Sequence, residues 1–152
     1  MTSADAAGRI EGPPSDAWQE AFLDDAFCNL VGPIYVTEHG ESHEPIRLGM
    51  RIESRHCNKI GICHGGMLMA FLDNSLGYVA TRYLGNVTGG PTISVTANFL
   101  RPARNGDWIE SRVRIERSTR KMQFVSGGIV VGDEPIVQGS GIFVRPASPD
   151  AG

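Results

Sequence analysis

Apolar residues change their spacing along this chain, and each change marks an element. Trp18, Phe22, Ala26 and Leu30 recur every four residues, with Leu23 and Phe27 widening the stripe. That spacing predicts a helix capped by Ser15 or Asp16 and stopped at Gly32-Pro33. Two strand-like runs follow, about 34–38 and 45–53, joined by the polar turn HGESHE. Residues 54–63 keep no steady period and read as a loop. The next segment, HGGMLMAFLDNSLGYVATRYL from His64 to Leu84, would be apolar nearly all round as a helix, and Gly85-Asn86 ends it. A helix of that kind belongs in a core. After a loop at Thr88-Gly89-Gly90-Pro91 the period switches to two: Ile93, Val95, Ala97 and Phe99 alternate with Thr92, Ser94, Thr96 and Asn98. Three more strand-like runs cover 107–117, 122–131 and 136–144, the last two split by Gly132-Asp133-Glu134-Pro135.

The order is helix, two strands, a buried helix and four strands. Short turns make consecutive strands antiparallel neighbours, and the sheet needs its apolar face covered. The class is α+β, with five or six antiparallel strands against the central helix and an additional N-terminal helix. Residues 1–14 are small and polar and are expected to form a disordered arm; 15–147 form one domain and 148–152 a tail.

Composition changes this picture only by exclusion. At 152 residues, 41% hydrophobic and 20% charged, the chain suits one soluble domain. A net charge of −3 with no basic run gives no reason to expect nucleic acid. No run is long and clean enough to span a bilayer, and the first residues lack the order of a signal peptide. Three cysteines without framework spacing suit a reducing compartment, so the expected location is the cytoplasm.

The chemistry begins with Asp73, an acid inside the buried helix. An unpaired carboxylate there costs several kcal/mol unless it finds partners, so it is either functional or simply capped or salt-bridged. It follows His64 by nine residues, about 13.5 Å of rise and about 900° of rotation on a helix, so the two point to opposite sides. Either they have separate tasks, or a symmetric dimer brings one chain's Asp73 to the other's His64 loop. Gly65-Gly66 at a helix start leaves N–H groups approachable by a ligand oxygen, the equipment of an oxyanion hole; a tight loop entry is the alternative. Asn58 offers an amide for a carbonyl or water, or bonds its own loop backbone. The His56-Cys57 and Cys63-His64 pairs raise zinc, but adjacent residues point apart, so no metal is expected. Cys63 beside His64 is a further candidate nucleophile, although adjacency is not triad geometry.

Asn58-Lys59-Ile60-Gly61-Ile62-Cys63-His64-Gly65-Gly66 with Asp73 resembles the N-x-x-G-x-x-H-G-G-x6-D signature of hotdog-fold thioesterases, above all the phenylacetate-pathway (PaaI-like) acyl-CoA thioesterases. Asn98 to Asp107 looks like that family's strand and turn after the helix, and the resemblance covers about residues 45–145. It implies the hotdog fold, with the sheet wrapped around the central helix, and an acyl-CoA or aryl-acyl-CoA substrate. By matching position, Asp73 would be nucleophile or general base, Gly65 the oxyanion donor and His64 the residue fixing its loop. Asn58 would position the carbonyl or water. Thr92, with Ser94 as alternative, would be the supporting hydroxyl. No cofactor is needed beyond the CoA of the substrate, whose contacts would be Gly66 and basic residues among Arg101, Arg104, Arg117, Arg120 and Lys121. The family implies a homodimer as the minimal active unit, in a homotetramer. A hotdog dehydratase is disfavoured by the Gly-Gly and acid spacing. A non-catalytic acyl-CoA binding or sensing module is the alternative from outside enzymology.

Overall fold

The computed structural model describes residues 12–37, 45–85 and 88–147. The HGESHE turn and residues 148–152 lie outside the described residues, as does the expected arm up to residue 11. Gly12, still within that arm, is tied to the fold by its carbonyl, which accepts a bond from Arg51.

Seven strands form one antiparallel sheet: β1 (Gln19–Ala21), β2 (Ile34–Thr37), β3 (Arg47–Arg51), β4 (Thr92–Phe99), β5 (Trp108–Ser118), β6 (Met122–Val131) and β7 (Glu134–Val144). Their order across the sheet is β1-β2-β3-β5-β6-β7-β4. β4 and β6 occupy the expected stretches; β6 buries Gln123, Val125 and Ile129, whereas β4, at the end of the sheet order, leaves Ile93 and Phe99 exposed. β7 begins two residues earlier than expected, so only Gly132-Asp133 remains as the turn.

Two α-helices accompany the sheet among the described residues. α2 (Gly65–Tyr83) lies on the sheet with Leu68, Phe71, Leu72, Ser75, Leu76 and Ala80 buried, the three- and four-residue spacing of one helical face. Its close seat depends on glycine: a Cβ on Gly139 would stand 2.7 Å from Leu72 Cδ2, and one on Gly141 3.1 Å from Leu76 Cδ1. The expectation of a helix buried all round is corrected here. The sheet covers one face, while Met67, Met69, Ala70, Asp73, Asn74, Gly77 and Tyr78 stay half-buried on the other faces.

The N-terminal helix of 15–30 is also corrected. Residues 19–21 are strand, paired in register with 34–36 of β2, which is why the sheet has seven strands instead of five or six. Phe22 then takes φ 58°, and a short α1 (Ala26–Val31) follows, capped by Asp25, whose carboxylate accepts from the Cys28 N–H at 2.9 Å. The aromatic spacing that suggests a helix serves two other ends. Trp18 is buried edge-on against Trp108, and Phe22 packs edge-on against Tyr78 of α2.

Candidate functional site

The loop between β3 and α2 is built by short bonds. A 3-10 turn, Ser54–His56, leads into a hairpin in which Cys57 faces Cys63. At its tip the Asn58 side-chain oxygen accepts from the N–H groups of Ile60 (3.1 Å) and Ile62 (3.4 Å), and Gly61 takes φ +81°, a conformation that L side chains resist. Asn58 therefore makes its own turn, and its amide group shapes the loop from which His64 emerges. The return strand is fixed by Cys63 N–H bonding Ala103 O (2.8 Å) and by the pairing of Ile62 with Arg104.

His64 caps α2. Its Nδ1 accepts from the Gly66 N–H at 2.9 Å, so Gly66 spends its donor inside the protein. What Gly66 supplies is space: a Cβ there would stand 3.1 Å from that imidazole nitrogen. Among the described residues the Gly65 N–H has no acceptor, and the positive end of the helix dipole adds to its attraction for an oxyanion. The Phe99 ring lies beside it, 3.6 Å from where a Gly65 Cβ would stand.

Asp73 sits two and a half turns further on, half-buried. Thr92 Oγ1, on the first residue of β4, donates to its Oδ1 at 2.9 Å; Thr92 and Ser94, two residues along, are both exposed. Asp73 and Thr92 line a cleft of about 490 Å³ with Phe22, Tyr78 and Phe143, and the carboxylates of Asp24 and Asp25 stand on its wall. None of these wall residues was singled out by motif. Phe22, Asp24 and Asp25 come from the N-terminal segment whose spacing suggests a helix, Tyr78 from α2 and Phe143 from β7. His64 and Gly66 line a different cleft, of about 540 Å³, with Phe27, Leu30, Met67 and Ala70. Within one chain the acid and the helix N-terminus thus face separate cavities.

The basic candidates divide in the same way. Arg101 and Arg104 follow the Phe99 end of β4; Arg101 is exposed and ion-paired with Glu134. Arg120 and Lys121, both exposed, form the β5–β6 turn, and the Lys121 carbonyl accepts from Arg145 N, one residue beyond β7. β7 pairs antiparallel with β4 there, Phe143 facing Thr92, so this second group lies toward the Asp73 end. Arg117, near the end of β5, is exposed.

The thiol alternative is closed by burial. Cys63 is buried, and desolvation, with Cys57 nearby, pushes its thiol up to about 12, so it stays protonated at neutral pH. His56 is held by backbone groups on both ring nitrogens. No group of three His, Cys, Asp or Glu is arranged to hold a metal among the described residues.

The family model of the thioesterase superfamily matches residues 60–138, just over half of the chain, and the chain belongs to that family of thioester hydrolases. A Pseudomonas aeruginosa protein, PA0474, provisionally named an esterase, is 28% identical over 131 residues, 86% of this chain and 96% of that one. The Escherichia coli PaaI protein of the phenylacetic acid degradation operon superposes with a TM-score of 0.70 at 18% identity, over 82% of this chain and 88% of its own. Bacillus halodurans BH2602, solved with CoA, gives 0.65 at 18% identity over 74% of each chain. The shared fold is the hotdog fold.

Proposed function

We propose that this chain is an acyl-CoA thioesterase whose site is completed across a homodimer. The observation that carries the reading is the separation just described: Asp73 lines one cleft, while His64 and Gly66, the neighbours of Gly65, line another about two turns nearer the start of α2. β4 is the last strand of the sheet, with β7 on one side and a free edge on the other. A second copy pairing antiparallel along that edge, centred between Val95 and Thr96, sets Thr92 of one chain beside Phe99 of the other. Thr92 carries Asp73, and Phe99 touches Gly65, so the half-sites meet twice. The same pairing covers Ile93, Phe99 and Leu100, all half or more exposed, and blunts an edge that would otherwise invite aggregation. It also carries Arg101 and Arg104 of one chain toward Arg120 and Lys121 of the other, giving the CoA phosphates cations on two sides. A dimer of dimers is the expected assembly.

The chemistry follows from the groups. Attack on the thioester carbonyl moves negative charge onto its oxygen, where the Gly65 N–H and the α2 dipole stabilise it. Asp73 either attacks the carbonyl carbon or takes a proton from the attacking water, and Thr92 fixes the carboxylate by occupying one oxygen. Collapse expels the CoA thiolate, which leaves as the thiol after taking up a proton; where Asp73 is the nucleophile, water then hydrolyses the acyl–Asp73 anhydride to the free acid and restores the carboxylate. The BH2602 complex with CoA, on the same fold, favours CoA as the carrier. The test is thiol release from short, medium, long and aryl acyl-CoAs by wild type and Asp73→Ala. Turnover that falls at least about a hundredfold in the variant supports the assignment. Retained turnover sinks it, and tight acyl-CoA binding without turnover in the wild type makes the protein a binding or sensing module instead.

A further inference from the structure

His56 is buried on the wall of the His64 and Gly66 cleft and is held by bonds from both its ring and its main chain. Its Nε2 sits 2.7 Å from Val31 O, the last residue of α1, and its Nδ1 accepts from Glu53 N–H at 2.9 Å. A carbonyl only accepts and an amide N–H only donates, so the ring must be neutral with its proton on Nε2. Its main-chain carbonyl accepts from the His64 N–H at 2.8 Å, the residue that caps α2 and precedes Gly65. Beside it the Arg55 guanidinium donates to Leu30 O (2.7 Å) and to Gly32 O. The carbonyl end of α1 is thereby fastened to the loop that leads to Gly65 through three consecutive carbonyls, those of Leu30, Val31 and Gly32.

We infer that His56 is a positioning residue: acting through His64, it sets the direction in which the Gly65 N–H points. The inference rests on the reading of Gly65 as oxyanion donor. Its physical basis is that donors count only when aimed where charge develops, and a displacement of about 1 Å costs on the order of a hundredfold in rate. Helix α1 makes no contribution to the reacting groups itself; it supplies the anchor. Such a residue affects the transition state and leaves ground-state binding largely alone.

The experiment compares His56→Leu, which removes both ring bonds at similar volume, with His56→Gln, whose amide can still donate toward Val31. The leucine variant is expected to lose about tenfold or more in kcat per folded protein with KM changed less than about threefold, and glutamine to recover most of the loss. Amide exchange at His64, Gly65 and Gly66 should quicken about tenfold in the leucine variant and return with glutamine. A lower Tm with wild-type kcat and wild-type exchange at those amides overturns the inference. If His56→Leu does not fold, Arg55→Met cuts the neighbouring bonds to α1 at the surface and is judged by the same readouts. If the wild type releases no thiol from any acyl-CoA, the thioesterase reading fails, while the exchange comparison still decides whether His56 holds the loop.

Discussion

Thr92 and Asp73, 19 residues apart in sequence, meet in a single hydrogen bond of 2.9 Å that ties the first residue of β4 to the middle of α2. The bond occupies one carboxylate oxygen and leaves the other for substrate or water. Thr92→Val removes the donor at constant shape and is expected to lower kcat about tenfold, while Thr92→Ser stays within about threefold. Steady-state thiol release checks both. Equal rates for the two variants would reduce Thr92 to packing.

A site divided between chains predicts complementation. Gly65→Pro deletes the proposed oxyanion donor at the first helical position, where proline is tolerated, and Asp73→Ala deletes the acid. Each variant alone should be nearly inactive. Co-folded in equal amounts, half the dimers are mixed, and each of those holds one intact site, so about a quarter of wild-type activity should return. No recovery would place both groups in one chain's site.

Stability should fall on mild acidification, with His56 as one cause. Burial, reinforced by Arg55, holds its folded pKa below the ordinary 6.5, although Val31 and Glu53 pull the other way. As pH falls, the unfolded chain takes up this proton first. The contribution is therefore complete above about 6.5 and is lost progressively below it. Melting temperatures measured between pH 8 and 5 should show the loss, and His56→Gln should flatten it.

The cysteines predict the opposite limb. Cys28 and Cys63 are both pushed up to about 12, mainly by burial, against an ordinary 9.0. They stay protonated in the fold while the unfolded chain ionises, so stability is lost as pH rises above about 9. At neutral pH Cys63 should resist alkylation, and Cys63→Ala should keep kcat within about twofold, since a protonated thiol is no nucleophile.

The bounds of β4 and β6 match those expected from the sequence, and the span of α2 does so to within one residue at either end, although β4 leaves its apolar Ile93 and Phe99 exposed. The N-terminal segment could not, because Trp18, Phe22 and Ala26 satisfy a helical spacing while Trp18 and Phe22 actually pack against Trp108 and Tyr78, far along the chain. A local signal was present: Asp25 caps α1. In the site, the motif pointed to Asp73, Gly65 and His64; Asp73 and His64 line separate clefts that are displaced along the axis of α2. His56 carried no motif weight, since its role depends on a carbonyl 25 residues away. Asn58 shows the converse: a motif residue whose amide oxygen is spent on its own loop.

The sheet order carries one more consequence. The family match spans 60–138, yet β3 pairs with β5 from before that stretch, and β7 runs past its end to Val144. Excised at those limits, the protein would expose the flank of β5 and strip β4 of its rungs to Gly139, Ser140, Gly141, Ile142 and Phe143. The family match is thus shorter than the sheet that its strands depend on.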